Sequence, residues 1–234
     1  MRRRPDAAMI FAAGLGTRMA PLTLSRPKAL VEVAGRPLVD HAIALAREAG
    51  IGRIVVNVHH FADMMAAHLR NRGVLISDER GRLLETGGGL KKARPLLDAE
   101  AVVTINVDAI LSGPNAIDAL ASAWDPSRMD GLLLLVAPPD RLAHAGGGDF
   151  AASGDPGPIR RGGPLTYAGL AILSLSDAAD WPDGAFSLNV VFDRMIASGR
   201  LFGLRHRGSW VDVGHPDGIA AAERLLKDDE DVRG

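Results

Sequence analysis

Two cations stand close together in a stretch that also carries two glycines: Gly14-Leu15-Gly16-Thr17-Arg18, then Pro27-Lys28. Arginine offers a planar fork of donors and lysine a point charge, so the pair suits a polyphosphate. Glycine has no Cβ, which lets backbone N–H groups approach such a ligand closely. The apolar run Ala7 to Ala13 lies immediately before and reads as a buried first strand. A strand that empties into a glycine-rich turn is a common way for α/β proteins to present N–H groups to phosphate. A dinucleotide fingerprint G-x-G-x-x-G would need glycine where Met19 stands, and no Gly-Lys-Ser/Thr follows with Walker spacing. A bare G-x-G also fits an ordinary tight turn. What argues for chemistry is the whole string G-x-G-T-R-M-x-P-L-T-x-x-x-P-K from Gly14 to Lys28.

Carboxylates supply the second candidate group. Asp108 follows Ala101-Val102-Val103-Thr104-Ile105-Asn106, the clearest central strand in the chain, and so sits at a carboxyl end. Magnesium is commonly held by one or two carboxylates plus phosphate oxygens, and Asp108 is placed for that role. An isolated Asp in such a turn also reads as a cap. The seven histidines include the adjacent pair His59 and His60, which cannot both face one site from a strand, and none forms an i, i+4 pair. A histidine metal site is not expected.

The elements that must position these groups alternate. After a brief extended segment at Ala29 to Ala34, Pro37 opens a helix with Leu38, Ala42, Leu45, Ala46 and Ala49 on one face and Gly50 as its stop. Arg53 to Val58 is a strand by its β-branched run, a helix spans about Phe61 to Arg72, and Val74 to Ser77 is a third strand. Leu84-Glu85-Thr86-Gly87-Gly88-Gly89-Leu90 leads into a basic helix with Lys91, Lys92 and Arg94; its glycines read as a flexible turn or as backbone brought against a flat base. Gly131 to Ala137 is a buried strand ended by Pro138-Pro139. The alternation lapses from 140 to 164, a Gly- and Pro-rich stretch read as a hairpin excursion over the site, and resumes with a strand at Leu165 to Leu173. A helix from about Leu188 to Ser198, an apolar Leu201 to Leu204, Ser209 to Gly214, and an amphipathic helix after Pro216 complete the chain, with a frayed charged tail from Lys227. The alternation predicts an α/β fold, a mostly parallel sheet with helices on both faces, in one domain spanning 1–234. Binding residues are expected at the carboxyl ends of its strands.

Composition excludes several classes. The 234 residues are 47% hydrophobic, enough for one large α/β core. Lys plus Arg (27) nearly balances Asp plus Glu (28), so the net charge of −1 makes no electrostatic case for nucleic acid or membrane as partner. Cysteine is absent, which removes disulfides, thiolate catalysis and thiolate-ligated zinc, and fits a reducing cytoplasm. Arg2-Arg3-Arg4 before an apolar run mimics a signal peptide, but Asp6 interrupts it and cleavage nearby would remove the phosphate loop, so export is not expected.

The string from Gly14 to Lys28 resembles the signature of the sugar-1-phosphate nucleotidyltransferases, and the resemblance extends from Met9 to about Glu223. It implies a Rossmann-like fold of GT-A type and transfer of a nucleotidyl group from a nucleoside triphosphate to a sugar-1-phosphate. In that family a G-T-x-G-type segment contacts the nucleobase, and Thr86-Gly87-Gly88 matches it in part, with Glu85 where glycine is common. The version L-E-T-G-G-G resembles the branch that uridylylates N-acetylmuramate-1-phosphate, an activity of cell-wall sugar recycling. Resemblance further implies that Ser209-Trp210-Val211-Asp212-Val213-Gly214 carries a second metal carboxylate, Asp212, which joins Asp108 on one magnesium. Val107 replaces the glycine usual before that first Asp.

The remaining roles follow from the same resemblance. Arg18 is assigned to the leaving pyrophosphate and Lys28 to phosphates near the α position. Ala12, Ala13, Gly14, Gly16, Thr17, Thr86, Gly87, Gly88 and Asn106 form the nucleotide-binding set. Asp149, in Gly148-Asp149-Phe150, and Gly169 form the sugar side. The Lys that many relatives carry in the preceding hairpin is missing; Arg160 and Arg161 are its candidate substitutes, with a solvated loop as the plainer reading. No hexapeptide β-helix pattern occurs, so a single activity is expected. Guanylyl transfer to mannose-1-phosphate, uridylyl or thymidylyl transfer to glucose-1-phosphate, and a catalytically dead nucleotide-sugar-binding regulator stay open as alternatives.

Overall fold

Ala7–Phe11 is buried at every position, as a strand covered on both faces must be. The computed structural model describes residues 4–143 and 146–233, without the side chains of 230–233. Arg2 and Arg3 of the basic run and the final residue of the tail lie outside the described residues. In chain order the elements are β1 (Ala7–Phe11), the short hairpin β2 (Glu32–Val33) and β3 (Arg36–Pro37), α1 (Leu38–Glu48), β4 (Arg53–Val58), α2 (Ala62–Leu69), β5 (Leu75–Asp78) and α3 (Glu85–Leu97). There follow β6 (Ala101–Asn106), β7 (Ala109–Leu111), α4 (Ala116–Ala123), β8 (Gly131–Val136), β9 (Arg141–Leu142), β10 (Phe150–Ala152), β11 (Gly157–Arg161) and β12 (Thr166–Ser174). The last elements are α5 (Leu188–Ala197), β13 (Leu201–Arg205), β14 (Trp210–Asp212) and α6 (Pro216–Arg233).

Nine strands form one sheet in the order β10-β11-β13-β8-β12-β6-β1-β4-β5. Seven of the nine run with β1, while β11 and β12 oppose it. The fold is therefore the expected Rossmann-like α/β arrangement of GT-A type with a mostly parallel sheet. Side chains alternate across β1. Ala8 and Ile10 pack on the face covered by α1, α2, α4 and α6, and Ala7, Met9 and Phe11 on the face covered by α3 and α5. Local signals set the helix ends. Asn115 Oδ1 caps α4 by accepting from Ile117 N at 2.9 Å, and Gly50, at φ 76°, closes the turn after α1. Among the described residues no helix is long and apolar enough to cross a membrane.

Three expectations need correction. The glycines at 87–89 are not a turn before a helix but lie inside α3, which begins at Glu85. The excursion at 140–164 does not form one flap over the site. Its first strand, β9, joins a separate three-stranded sheet ordered β7-β14-β9, and its β10–β11 hairpin extends the main sheet through β13. The tail from Lys227 is helical to Arg233 and is tied down, since Asp229 Oδ1 accepts from Gly113 N at 2.9 Å.

Candidate active site

The strand order reverses at β1: the chain passes outward through β4 and β5, then returns to place β6 on the other side of β1. Such a reversal opens a crevice at the carboxyl ends of the two strands. Phe11 pairs with Asn106 at those ends, and Val107 N donates to Phe11 O at 3.3 Å. A cavity of about 450 Å³ lies there, lined by Ala12, Ala13, Gly14, Gly16, Thr17 and Arg18 from one side and by Asn106 and Asp108 from the other. Lys28, Thr86 and Glu85 complete its rim with Asn57, Leu83, Ser187 and Gly214. A wider cleft of about 950 Å³ at the opposite strand ends, bordered by Asp6, Arg94, Glu100 and Ser174, holds none of the expected site residues. Size does not mark the site.

The loop after β1 is folded rather than floppy. Met19 is fully buried as its anchor, and Met19 N donates to Gly16 O at 2.9 Å. Thr23, buried under the turn, donates its hydroxyl to the same oxygen at 2.8 Å. Gly16 takes φ 64°, and a Cβ there would stand 2.8 Å from Lys28 Cβ, so glycine is required twice over. Gly14, Thr17 and Arg18 stay exposed on the cavity side. The loop therefore offers backbone donors and one guanidinium around a space that suits phosphate.

Lys28 and Asp108 meet directly: Nζ donates to Oδ2 at 2.5 Å, with the side chains 11% and 24% exposed. A pair this enclosed is weakly screened, so the two charges fix each other's positions. Asp212 reaches the same place through the small sheet. It pairs with Ala109 across β14 and β7, and Val213 N donates to Asp108 O at 2.9 Å. A Cβ on Gly214 would lie 2.8 Å from Asp212 Oδ1 and 3.1 Å from Arg18 Nη2, which puts the second carboxylate beside the arginine. The sheet thus brings together Arg18, Lys28, Asp108 and Asp212. Among the described residues no group of three or more His, Asp or Glu could hold a metal. A cation here would rest on two carboxylates, hard oxygen donors of the type magnesium takes when substrate phosphates fill its other positions.

The other end of the cavity rests on a buried polar bridge. Asn57 Oδ1 accepts from Ala12 N at 2.7 Å, and Asn57 Nδ2 donates to Glu79 Oε1 at 2.8 Å. Glu79 Oε2 accepts from Leu84 N at 3.2 Å. Burial pushes the Glu79 carboxyl above the ordinary range, against the hydrogen bonds from Asn57 and Leu84 that hold it down. Glu79 is 1% exposed, so its carboxylate serves the scaffold and not a base.

Several expected residues fall elsewhere. Gly87 and Gly88 do not line the cavity. Both N–H groups donate to Phe186 O, at 2.8 and 3.1 Å, and a Cβ on Gly87 would stand 2.3 Å from the Phe186 ring. Their small size lets α3 pack on the 184–188 segment, which corrects the view that they frame a base. Thr86 does line the cavity, and its hydroxyl accepts from Leu188 N at 3.0 Å. Gly169, at φ 81°, lies beneath Asn106, where a Cβ would approach Asn106 Cβ to 2.8 Å. Asp149 is exposed outside the cavity lining, with Oδ2 accepting from Tyr167 N at 2.9 Å. Arg161 is turned away to Asp193 and Asn189, at 2.8 and 2.9 Å, and over the Phe150 ring, so it is no substitute for the missing lysine. Arg160 is exposed on β11.

Two residues went unread. Asn57 is a lone amide in the otherwise apolar end of β4, a polar residue 2% exposed, and that isolation was its signal. His215 follows Gly214 directly, and its Nε2 lies 3.2 Å from Arg18 Nη1. A guanidinium has only donors, so the ring nitrogen is the acceptor.

Comparisons with known proteins agree with this geometry. Residues 8–166 match the model of the MobA-like NTP transferase domain. The chain is 45% identical to an N-acetylmuramate alpha-1-phosphate uridylyltransferase of Caulobacter vibrioides, over 97% of this chain and 99% of that protein. It is 32% identical to the protein of the same name from Neisseria meningitidis serogroup B, over 93% and 97% of the two chains. Among solved structures, the inositol-1-phosphate CTP transferase from T. maritima superposes with a TM-score of 0.78 at 15% identity, covering 97% of each chain. The chain therefore belongs to the nucleotidyltransferases with a MobA-like NTP transferase domain, whose family transfers nucleotidyl groups to sugar-1-phosphates.

Proposed function

We propose that this enzyme transfers uridylyl from UTP to N-acetylmuramate-1-phosphate in a magnesium-dependent reaction. The observation that carries the chemistry is the meeting of Arg18, Lys28, Asp108 and Asp212 at one strand-end crevice. The sugar and the base are supported by the likeness to the Caulobacter and Neisseria proteins. An oxygen of the sugar-1-phosphate attacks the α-phosphorus of UTP, the bond to the bridging oxygen breaks, and pyrophosphate leaves with its electron pair. The nucleophile is already anionic near neutral pH, so no base is needed, and catalysis reduces to positioning and charge neutralisation. Lys28 neutralises charge near the α-phosphate, Arg18 holds the leaving pyrophosphate, and the turn at 14–17 supplies backbone donors. Asp108 and Asp212 would hold the magnesium ion, whose contribution when bound is to neutralise phosphate oxygens. A bulky sugar is accommodated more readily beside the exposed Gly146 and Gly147, where a Cβ on Gly147 would meet nothing within 4 Å, than at Gly148, which packs on Gly163 and Pro164.

The test is a matrix of nucleoside triphosphates against muramate, glucosamine, glucose and mannose 1-phosphates, scored by pyrophosphate release with magnesium and with excess chelator. UTP with N-acetylmuramate-1-phosphate should give the highest specificity constant, and chelator should abolish it. Faster turnover of GTP with mannose-1-phosphate would overturn the base and sugar while leaving the reaction class; activity that survives chelator would remove the metal.

A further inference from the structure

Glu85 is the first residue of α3 and has φ 58°, the left-handed region that a residue with a Cβ adopts only at a cost. The chain holds it there from both sides. Leu84 N donates to Glu79 Oε2 and Leu84 O accepts from Phe186 N, while Gly87 N and Gly88 N are both bound to Phe186 O. No packing explains the choice of glutamate, because the side chain is exposed on the cavity rim. Among the described residues its carboxylate has no hydrogen bond or ion pair. The other carboxylate lining the cavity, Asp108, is engaged by Lys28, and nearby Glu79 faces the interior.

From an acceptor-only group held at a cavity rim at conformational cost, we infer that Glu85 is a specificity-determining residue that binds the nucleoside half of the nucleotide. This rests on the nucleotidyl-transfer reading above and adds a residue to it. Charge decides which half. Arg18 and Lys28, with the backbone donors, stand on the loop side, where phosphates are stabilised; a carboxylate would repel them. Around Glu85 the lining residues Leu83, Thr86, Ser187 and Asn57 are uncharged. A uridine presents two kinds of donor to such a carboxylate, the adjacent ribose hydroxyls and the imide N–H. The hydroxyls can fill both carboxylate oxygens, whereas the imide N–H is flanked by two carbonyls.

The experiment measures UTP, 2′-deoxy-UTP, 3′-deoxy-UTP and 3-methyl-UTP binding by calorimetry, with turnover alongside, for the wild type, Glu85→Gln and Glu85→Gly. UTP affinity should fall about tenfold or more in Glu85→Gln, the scale of a hydrogen bond to a charged group, with KM rising more than kcat falls. The analogue that lacks the bonded donor should bind the wild type and Glu85→Gln equally, which identifies ribose or base. Glu85→Gly should bind as weakly yet unfold at the same temperature or higher, because glycine adopts φ 58° without strain. UTP affinity unchanged in Glu85→Gln, or an equal loss for all four nucleotides, would overturn the inference. Wild-type binding of UTP without turnover of any sugar-1-phosphate would instead count against the proposed reaction and leave the Glu85 assignment to the binding data.

Discussion

Two glycine-rich stretches flank the cavity, 14–16 after β1 and 87–89 in α3. A Cβ on Gly14 would meet nothing within 4 Å, whereas one on Gly88 would stand 2.2 Å from Gly184 O. Gly89 makes room for the bridge behind the site, since its Cβ would approach Glu79 Oε1 to 2.8 Å and Asn57 Nδ2 to 3.0 Å. The first stretch opens backbone to a ligand, and the second closes one element upon another. On the loop side Gly14 serves the ligand without serving packing, although Gly16 beside it is fixed by Lys28, whereas the helix-side glycines serve packing that fixes the site.

The largest expected effect is on the loop side. Asp108→Asn keeps an oxygen for Lys28 but removes the charge, and turnover should fall at least about a hundredfold, the scale of one preorganised electrostatic group. Some stability should be lost as well, because Lys28, 11% exposed, keeps its charge beside a neutral amide, but the loss of turnover should far exceed it. Steady-state kinetics beside a urea titration separates the two; a variant that unfolds early with near-normal turnover would erase the division between the stretches.

Gly88→Ala should do the reverse. Backbone oxygen cannot move as a flexible side chain does, so about 1–3 kcal/mol of stability should be lost to overpacking. Urea unfolding measures it, and a variant as stable as the wild type would mean that α3 does not pack on 184–188 as described.

His215→Ala should cost less. It removes one acceptor from Arg18, worth roughly 1 kcal/mol, and should weaken pyrophosphate inhibition several-fold with kcat nearly kept. Product-inhibition kinetics reads this directly. An effect as large as that of Arg18→Ala would make His215 a phosphate ligand in its own right.

The comparison also explains what could be read from residues alone. Strands and helices with a strong period were legible, and so were the loop, Arg18, Lys28 and Asp108, because a strand end followed by glycine, cations or a lone acid has local meaning. Gly87 and Gly88 were misread because the reason for their size, Phe186 and Gly184, lies about a hundred positions away. The same holds for Glu79: nothing near it in sequence reveals that Asn57 and Leu84 N enclose it. Arg161 turned away because Asp193, on α5, was invisible as its partner. Long-range pairing, not local propensity, was the missing information.

The smallest effect sharpens the contrast most. Gly14 is exposed, has no positive φ, and has open space where a Cβ would go. Gly14→Ala should therefore leave stability unchanged or raise it by up to about 1 kcal/mol, through loss of freedom in the unfolded chain. The same methyl group would stand on the cavity side of the loop and hold a phosphate away from the backbone donors. UTP affinity should fall by a few-fold, measured by calorimetry, while the urea midpoint holds or rises. Loss of stability with unchanged affinity would show that Gly14 serves packing as Gly88 does, and the loop would no longer be the open member of the pair.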